Sequence, residues 1–382
     1  TLGDPEDPTL NPLVLITILF DPIIGLKLIV FFALLIGGLA TYAFARCILE
    51  YTQWGSLFSA LVFGLSLFVP LRVQDGNPNE VYATFLPLCL LLIGLACRGY
   101  KLPIIILPIV FYTMLSDGKL NCFMGMFYVG LVCLLNLIPR FGIFPKSKSV
   151  DRIDTQPIKV FLLAIGITFF VGMVRILPAV VHINEKGGLG NIDLFFYPET
   201  YNFSGYIFER LWQETIGWKG KQGLVTVGWL PVLLFVIVTF VFWRKSLIWG
   251  IVLILFGWFA LANNISIDLF ELLWHLPIFN AVRQPIKYFS FQIVFTIAIA
   301  SGQFFVLLRR LHPRWSEHLI AVILITLGIG FLYPRVAKIQ SETYNFVRPQ
   351  LTQSKSGFFN VKVEICREIV KSHPLLLHTL IS

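Results

Sequence analysis

A chain of 382 residues that is 57% hydrophobic and 13% charged, with a mean hydropathy of +0.79, cannot hide its apolar residues inside one water-soluble globule. Its apolar runs are long enough to cross a hydrocarbon core of about 30 Å, must be helical there to satisfy their backbone groups, and are too long for the strands of an outer-membrane barrel. The net charge of +9 would suit nucleic acid in a soluble protein, but the cations concentrate between apolar runs, which fits orientation on a membrane and excludes a nucleic-acid partner.

In chain order, residues 1–11 are polar, with Asp4, Glu6 and Asp7 punctuated by Pro5 and Pro8, and read as an extracytoplasmic loop. The apolar piece 12–20 stops at Asp21-Pro22, a length that suits a re-entrant or interfacial helix. Spans are predicted at 23–46, 53–71, 80–97, 102–115 and 119–138, the fourth short for a crossing. A basic linker with Arg140, Lys146, Lys148, Arg152 and Lys159 leads to a span at 157–180. The longest polar interval, 181–222, carries His182, Glu185, Asp193, Glu199, Glu209, Arg210 and Trp212 and predicts a small cap or an interfacial segment. Spans at 223–243, 246–263, 286–308 and 317–333 follow, and residues 334–382 read as an extracytoplasmic tail that starts a soluble domain. The expected fold is therefore an all-α polytopic membrane protein with about ten transmembrane helices, re-entrant or interfacial helices, and an extracytoplasmic loop cap.

Orientation follows from charge. If the segment ends with Arg46, Arg98 and Lys101, the 140–159 linker, Arg244 and Lys245, and Arg309, Arg310 and Arg314 all face the cytoplasm, every crossing alternates. The outer loops then gather Asp75, Asp117, His182, Glu185, Asp268 and Glu271. Five cysteines, Cys47, Cys89, Cys97, Cys122 and Cys133, fall within or at the ends of spans and are expected as buried small hydrophobes; with Cys366 they form neither metal spacing nor a disulfide framework. The start at Thr1 rather than Met leads us to expect further sequence upstream.

The stretch Leu276-Pro277-Ile278-Phe279-Asn280-Ala281-Val282-Arg283-Gln284-Pro285-Ile286-Lys287-Tyr288 sets two cations and two interior prolines just before a long apolar run. Arg283 and Lys287, four apart, share a face if the backbone is helical, and together make a candidate anion seat; snorkelling toward lipid headgroups accounts for them equally well. Arg175, inside an apolar span, either faces a cavity or snorkels. Asp75, with Asn77 and Asn79, suits a sugar hydroxyl or a divalent cation bound through oxygen, or a solvated turn. His182 and Glu185 are spaced for one helical face or a metal contact, and equally for a structural pair. Asp117 and Lys119 read as a pair across a turn, and Trp212, Trp218 and Trp229 as stacking or interfacial aromatics.

Several of these stretches together resemble the polytopic GT-C-type glycosyltransferases that use lipid-linked sugars, and in particular the YfhO-like membrane proteins. They are Pro12-Leu13-Val14-Leu15 through Gly37-Gly38-Leu39-Ala40-Thr41-Tyr42-Ala43-Phe44-Ala45-Arg46; Ser56–Phe68, then Gly76-Asn77-Pro78-Asn79-Glu80 with Phe85-Leu86-Pro87-Leu88; Leu115-Ser116-Asp117-Gly118-Lys119; and the 276–289 stretch, similar to an LPxFxxxRxPxRF signature followed by the small-residue helix Ala298-Ile299-Ala300-Ser301-Gly302. The likeness covers most of 10–333, with Lys287 where relatives often carry Arg, a change that keeps the charge and loses the planar fork.

The resemblance implies attack of an acceptor hydroxyl on the anomeric carbon of a polyprenyl-phosphate sugar at the outer face of the cytoplasmic membrane. It implies donor-phosphate binding by Arg283, Lys287 and Arg175, substrate binding by Asp75, Asn79, His182 and Glu185, and membrane lipids, a lipid-linked sugar donor and other membrane subunits as partners. The family's acidic residue is expected in the first outer loop, so it lies upstream of Thr1 or is represented by Asp4, Glu6 or Asp7. Two other readings compete: a non-catalytic membrane scaffold subunit, and a transporter of lipid or polysaccharide, which would call for inverted repeats and midplane charges.

Overall fold

A computed structural model of the chain describes the backbone of residues 11–20, 22–66, 68–74, 78–116, 120–138, 143–144, 154–185, 227–262, 267–276, 279, 282, 285–311 and 314–344. The described residues are helical with no strand. In order they form α1 (Val14–Leu19), α2 (Pro22–Ala43) ending in a π-helical turn (Phe44–Ile48), α3 (Gln53–Gly64), α4 (Phe68–Gln74), a 3₁₀ segment (Pro78–Phe85), α5 (Leu86–Cys97), α6 (Leu102–Leu115), α7 (Leu120–Leu135) and α8 (Gln156–Glu185). The second half supplies α9 (Trp229–Val241), α10 (Trp243–Leu261), α11 (Leu269–Trp274), α12 (Pro285–Gly302), α13 (Phe304–Leu311) and α14 (Arg314–Tyr344).

Each of the ten apolar intervals predicted as a span contains helix. Five stretches, Ile24–Ile48, Gln53–Pro70, Glu80–Cys97, Gln156–Val174 and Tyr288–Leu311, are long and apolar enough to cross a membrane by length and composition. The other five, including Leu102–Leu115, are shorter. Large apolar side chains also point outward, among them Phe170 at 82% exposure, Phe240 at 81%, Ile105 and Ile254. A water-soluble monomer rarely tolerates that much exposed apolar surface, and these helices suggest a membrane protein. The hydroxyls of Thr41, Thr113, Thr168, Thr239, Ser246 and Thr296 each donate to the carbonyl four residues back, so these six side chains sit in apolar helices with their protons bonded.

The central helix is α12, which packs on α10, α3, α9 and α7. Its approach to α3 rests on glycine: a Cβ on Gly302 would stand 2.6 Å from the Gly55 carbonyl oxygen and against the Ser59 hydroxyl. Small residues let helix backbones come this close where no side chain could be tolerated. Tyr128 on α7 and Thr296 on α12 share a buried hydrogen bond of 2.9 Å.

Contacts sort the helix ends into two rims. At one, Arg46 donates to the Tyr51 carbonyl at 2.7 Å, Arg98 to that of Cys47, and Gln156 to that of Ala96. There too the Trp54 indole donates to His318 Nδ1, and Arg310 lies over the Phe242 ring. At the other, Asn11 donates to the Thr113 carbonyl, Phe68 packs on Phe291, and Arg72 meets Glu80.

Three expectations are corrected. Cys89, Cys122 and Cys133 are buried as predicted, but Cys47 is exposed and Cys97 half-buried, because both sit at helix ends where the packing opens. His182 and Glu185 lie in the last turn of α8 and not in a loop; the helix continues through Pro178, and the glycine pair Gly187-Gly188 comes only after it ends. Helix α14 runs through Pro334 to Tyr344, past the expected boundary at 333. By contacts the chain divides into a unit of Thr1–Ile339 and one of Gln340–Ser382.

Candidate functional site at the bundle rim

The lip predicted at 276–288 is mounted on aromatic rings. Phe279 packs on Phe127 of α7 with centroids 5.3 Å apart, and the N–H of the fully buried Val282 donates to the Phe279 carbonyl at 3.1 Å. Phe127 in turn meets Phe256 and Phe259 of α10, and both of these meet Phe289 of α12 at 5.7 and 5.6 Å. Phe270 of α11 joins the same cluster against Phe289 at 5.9 Å. Edge and tilted ring pairs of this kind add about 0.5–1.5 kcal/mol each beyond area burial, so the segment entering α12 has a stiff floor. Pro285 opens α12, where its fixed φ suits the first helical turn.

Lys287 lies in that first turn, on backbone held by Phe289. Its side chain, and all of Arg283, are outside the described residues. Arg175, His182 and Glu185 are on α8, and Asn79 is in the 3₁₀ segment; their side chains are likewise outside the described residues. Asp4, Glu6, Asp7, Asp75, the Asp117–Lys119 turn, Trp212 and Trp218 also fall outside them. Trp229 opens α9 and is exposed. Among the described residues no three His, Cys, Asp or Glu side chains come together as a metal site.

The described charge at this rim is one that composition does not reveal. Arg72, at the end of α4, places its Nε 3.1 Å from Glu80 Oε2 in the 3₁₀ segment, and the two side chains are only 3% and 4% exposed. The guanidinium carbon lies 5.3 Å from the centroid of Phe68, and Phe68 packs at 4.6 Å on Phe291 of α12. A charge pair so deeply buried is costly to desolvate and is kept only with good geometry and further contacts. The sequence signal for it was an Arg just after one apolar run and a Glu at the start of the next.

Short helix α11 flanks the lip. The Asp268 carboxylate caps it, accepting from Phe270 N at 2.8 Å and Glu271 N at 3.2 Å, and the Trp258 indole holds the preceding turn through the Ile267 carbonyl at 2.6 Å. Partial burial raises the Asp268 pKa above the usual carboxylate value, against the lowering effect of the two capping amides, with the nearby Glu271 charge adding to the rise. Since the folded pKa is the higher one, the stability linked to this titration is fully present below the unfolded pKa and is lost as pH rises through the folded pKa, while the two capping bonds are still accepted by the ionised carboxylate. Asp268→Ala is expected to cost about 1 kcal/mol in a detergent melt at neutral pH, whereas Asp268→Asn keeps the cap and is expected to be near neutral. Equal losses for both would remove the cap as the reason for the aspartate.

Compared with known proteins, the chain matches no family model, no curated protein and no solved structure.

Proposed function

We propose that this chain is a multi-pass membrane protein of the GT-C type that transfers a sugar from a polyprenyl-phosphate donor at the outer face of the cytoplasmic membrane. The observation that carries the reading is the mounting of the 279–289 segment on the phenylalanine floor, at the rim opposite the one that gathers Arg46, Arg98 and Arg310. On this reading the Arg-rich rim faces the cytoplasm and the ten apolar helices cross. The lip, α11 and the 3₁₀ segment then lie at the outer headgroup level, where a lipid-borne phosphate resides.

The chemistry asks two things of the protein. As the acceptor hydroxyl attacks the anomeric carbon, the bond from that carbon to the phosphate oxygen breaks and the polyprenyl phosphate departs with the electron pair; a carboxylate takes the hydroxyl proton. Cations offset the charge that grows on the leaving phosphate. Arg283 supplies a planar fork for two phosphate oxygens and Lys287 a point charge four residues on, with Arg175 a third cation on α8. Asp4, Glu6 and Asp7 are the carboxylates nearest in sequence to the family's acidic loop. Asp75, Asn79, His182 and Glu185 are assigned to sugar binding, with oxygen ligands for a divalent cation if the reaction uses one.

The test is Arg283→Gln with Lys287→Gln in the purified, lipid-reconstituted protein, supplied with polyprenyl-phosphate sugars and assayed for release of polyprenyl phosphate. Transfer is expected to fall by about 10²-fold or more, with the melting temperature held near that of the parent. Turnover unchanged by the double substitution would exclude the two cations from donor binding.

A further inference from the structure

We infer that Arg72 and Glu80 are positioning residues for the rim: their buried pair sets the first turns of α12, the helix that carries Lys287. The inference rests on the proposed function only in taking Lys287 as a phosphate ligand. The mechanical part stands on contacts.

Arg72 ends α4 and Glu80 lies three residues into the segment Pro78–Phe85, so their 3.1 Å contact ties the end of one apolar stretch to the start of the next. The tie is anchored on its far side, since the Thr84 hydroxyl is shared between the Val81 carbonyl at 2.7 Å and the Ala33 carbonyl of α2 at 3.0 Å, and the Thr84 backbone abuts Gly37. On its near side the guanidinium is laid over Phe68 at 5.3 Å, and that same ring is packed against Phe291 at 4.6 Å. Phe291 is four residues past Lys287, one helical turn on the same face of α12. Gln292, beside it, completes the seating: in its satisfied orientation the amide donates to the Tyr288 and Phe289 carbonyls and accepts from Gly125 N of α7.

A continuous path of contact therefore runs from α2 through Glu80, Arg72 and Phe68 to the start of α12. Moving one partner of a buried charge pair leaves the other charge desolvated, a cost that slippage in apolar packing does not carry. Placing the pair here fixes the height of the first turn of α12 at the rim. A shift of about 1 Å in a binding group is enough to degrade the alignment of a reacting phosphate.

The experiment compares amide exchange in the reconstituted protein for the parent, Arg72→Met with Glu80→Leu, and Phe68→Leu. The double variant replaces the pair by apolar groups of similar volume, and Phe68→Leu leaves the pair in place while removing the ring it shares with α12. Exchange at residues 289–292 is expected to quicken about tenfold or more in both variants, with residues 107–114 of α6 unchanged. Unaltered exchange at 289–292 in both would overturn the inference. If the double variant does not assemble, Phe68→Leu alone decides it by the same criterion. Where the parent transfers sugar, both variants are expected to lower kcat/KM for the donor about tenfold with kcat falling in step, because the misplaced cation serves the phosphate as its charge grows. A parent without transfer removes the proposed activity and leaves the exchange result to decide the positioning role.

Discussion

Replacing Gly302 by valine is expected to destabilise the protein by about 3 kcal/mol or more, the upper range for overpacking, because the added atoms have nowhere to go. Even a first Cβ at this position would stand 2.6 Å from a carbonyl oxygen of the facing helix and meet the Ser59 hydroxyl, which is itself fully buried. The obstacle on one side is backbone and cannot rotate away, so α3 and α12 must separate. Their contact is among the broadest in the fold, and Phe58 with Phe305, 5.3 Å apart, would be pulled open with it. The control is Gly250→Ala on α10, where an added Cβ meets nothing within 4 Å and the usual helix gain of about 1 kcal/mol is expected. Both are read from thermal melts followed by circular dichroism in detergent. A Gly302→Val protein that melts with the parent would show that these two helices do not cross at this glycine.

The second large effect belongs to the buried charge pair. Arg72→Gln or Glu80→Gln alone is expected to cost about 3–5 kcal/mol, since each leaves the other charge in a site almost closed to solvent. The apolar double replacement is expected to lose far less, because the desolvation penalty of both ions disappears with them. This non-additivity is the signature to seek: in a double-mutant cycle the pair should show an interaction energy of roughly 2 kcal/mol or more. A single variant as stable as the parent would mean that Arg72 and Glu80 are solvated and do not depend on one another.

How far the sequence could be read depended on scale. Apolar run length predicted helices in ten intervals, and each contains one, because a long apolar run in lipid has no other way to satisfy its backbone. Run length did not show which side of a helix faces its neighbours. Helices such as α5 and α6 are apolar all round, so the buried Leu107 and the exposed Ile105 differ in no way that a hydropathy pattern records. Charge placement marked helix ends: Arg46 and Arg98 each donate to a backbone carbonyl at or just past the π-helical turn, those of Tyr51 and Cys47. It missed Arg72 and Glu80, whose meaning lies in their facing each other and not in either alone. The glycine crossing was equally hidden, since Gly55 and Gly302 are 247 positions apart and each looks like an ordinary helical glycine. At the lip, the break at Pro285 was readable, whereas the six phenylalanines beneath it come from four helices and the stretch before α12, and only folding brings them together.

The enclosed place of α12 also sets an order of assembly. Ser290, Gln292, Thr296 and Ser301 are fully buried, and the helices that surround them, α3, α7, α9 and α10, are all synthesised earlier. Until residues 285–302 leave the ribosome, the nascent bundle is a shell with an unfilled slot, and the Tyr128 hydroxyl and the Gly55 backbone wait for a late keystone. Chains truncated before that point would leave the Tyr128 hydroxyl without Thr296 and the slot unfilled, so the last quarter of the protein completes the core of the first three quarters.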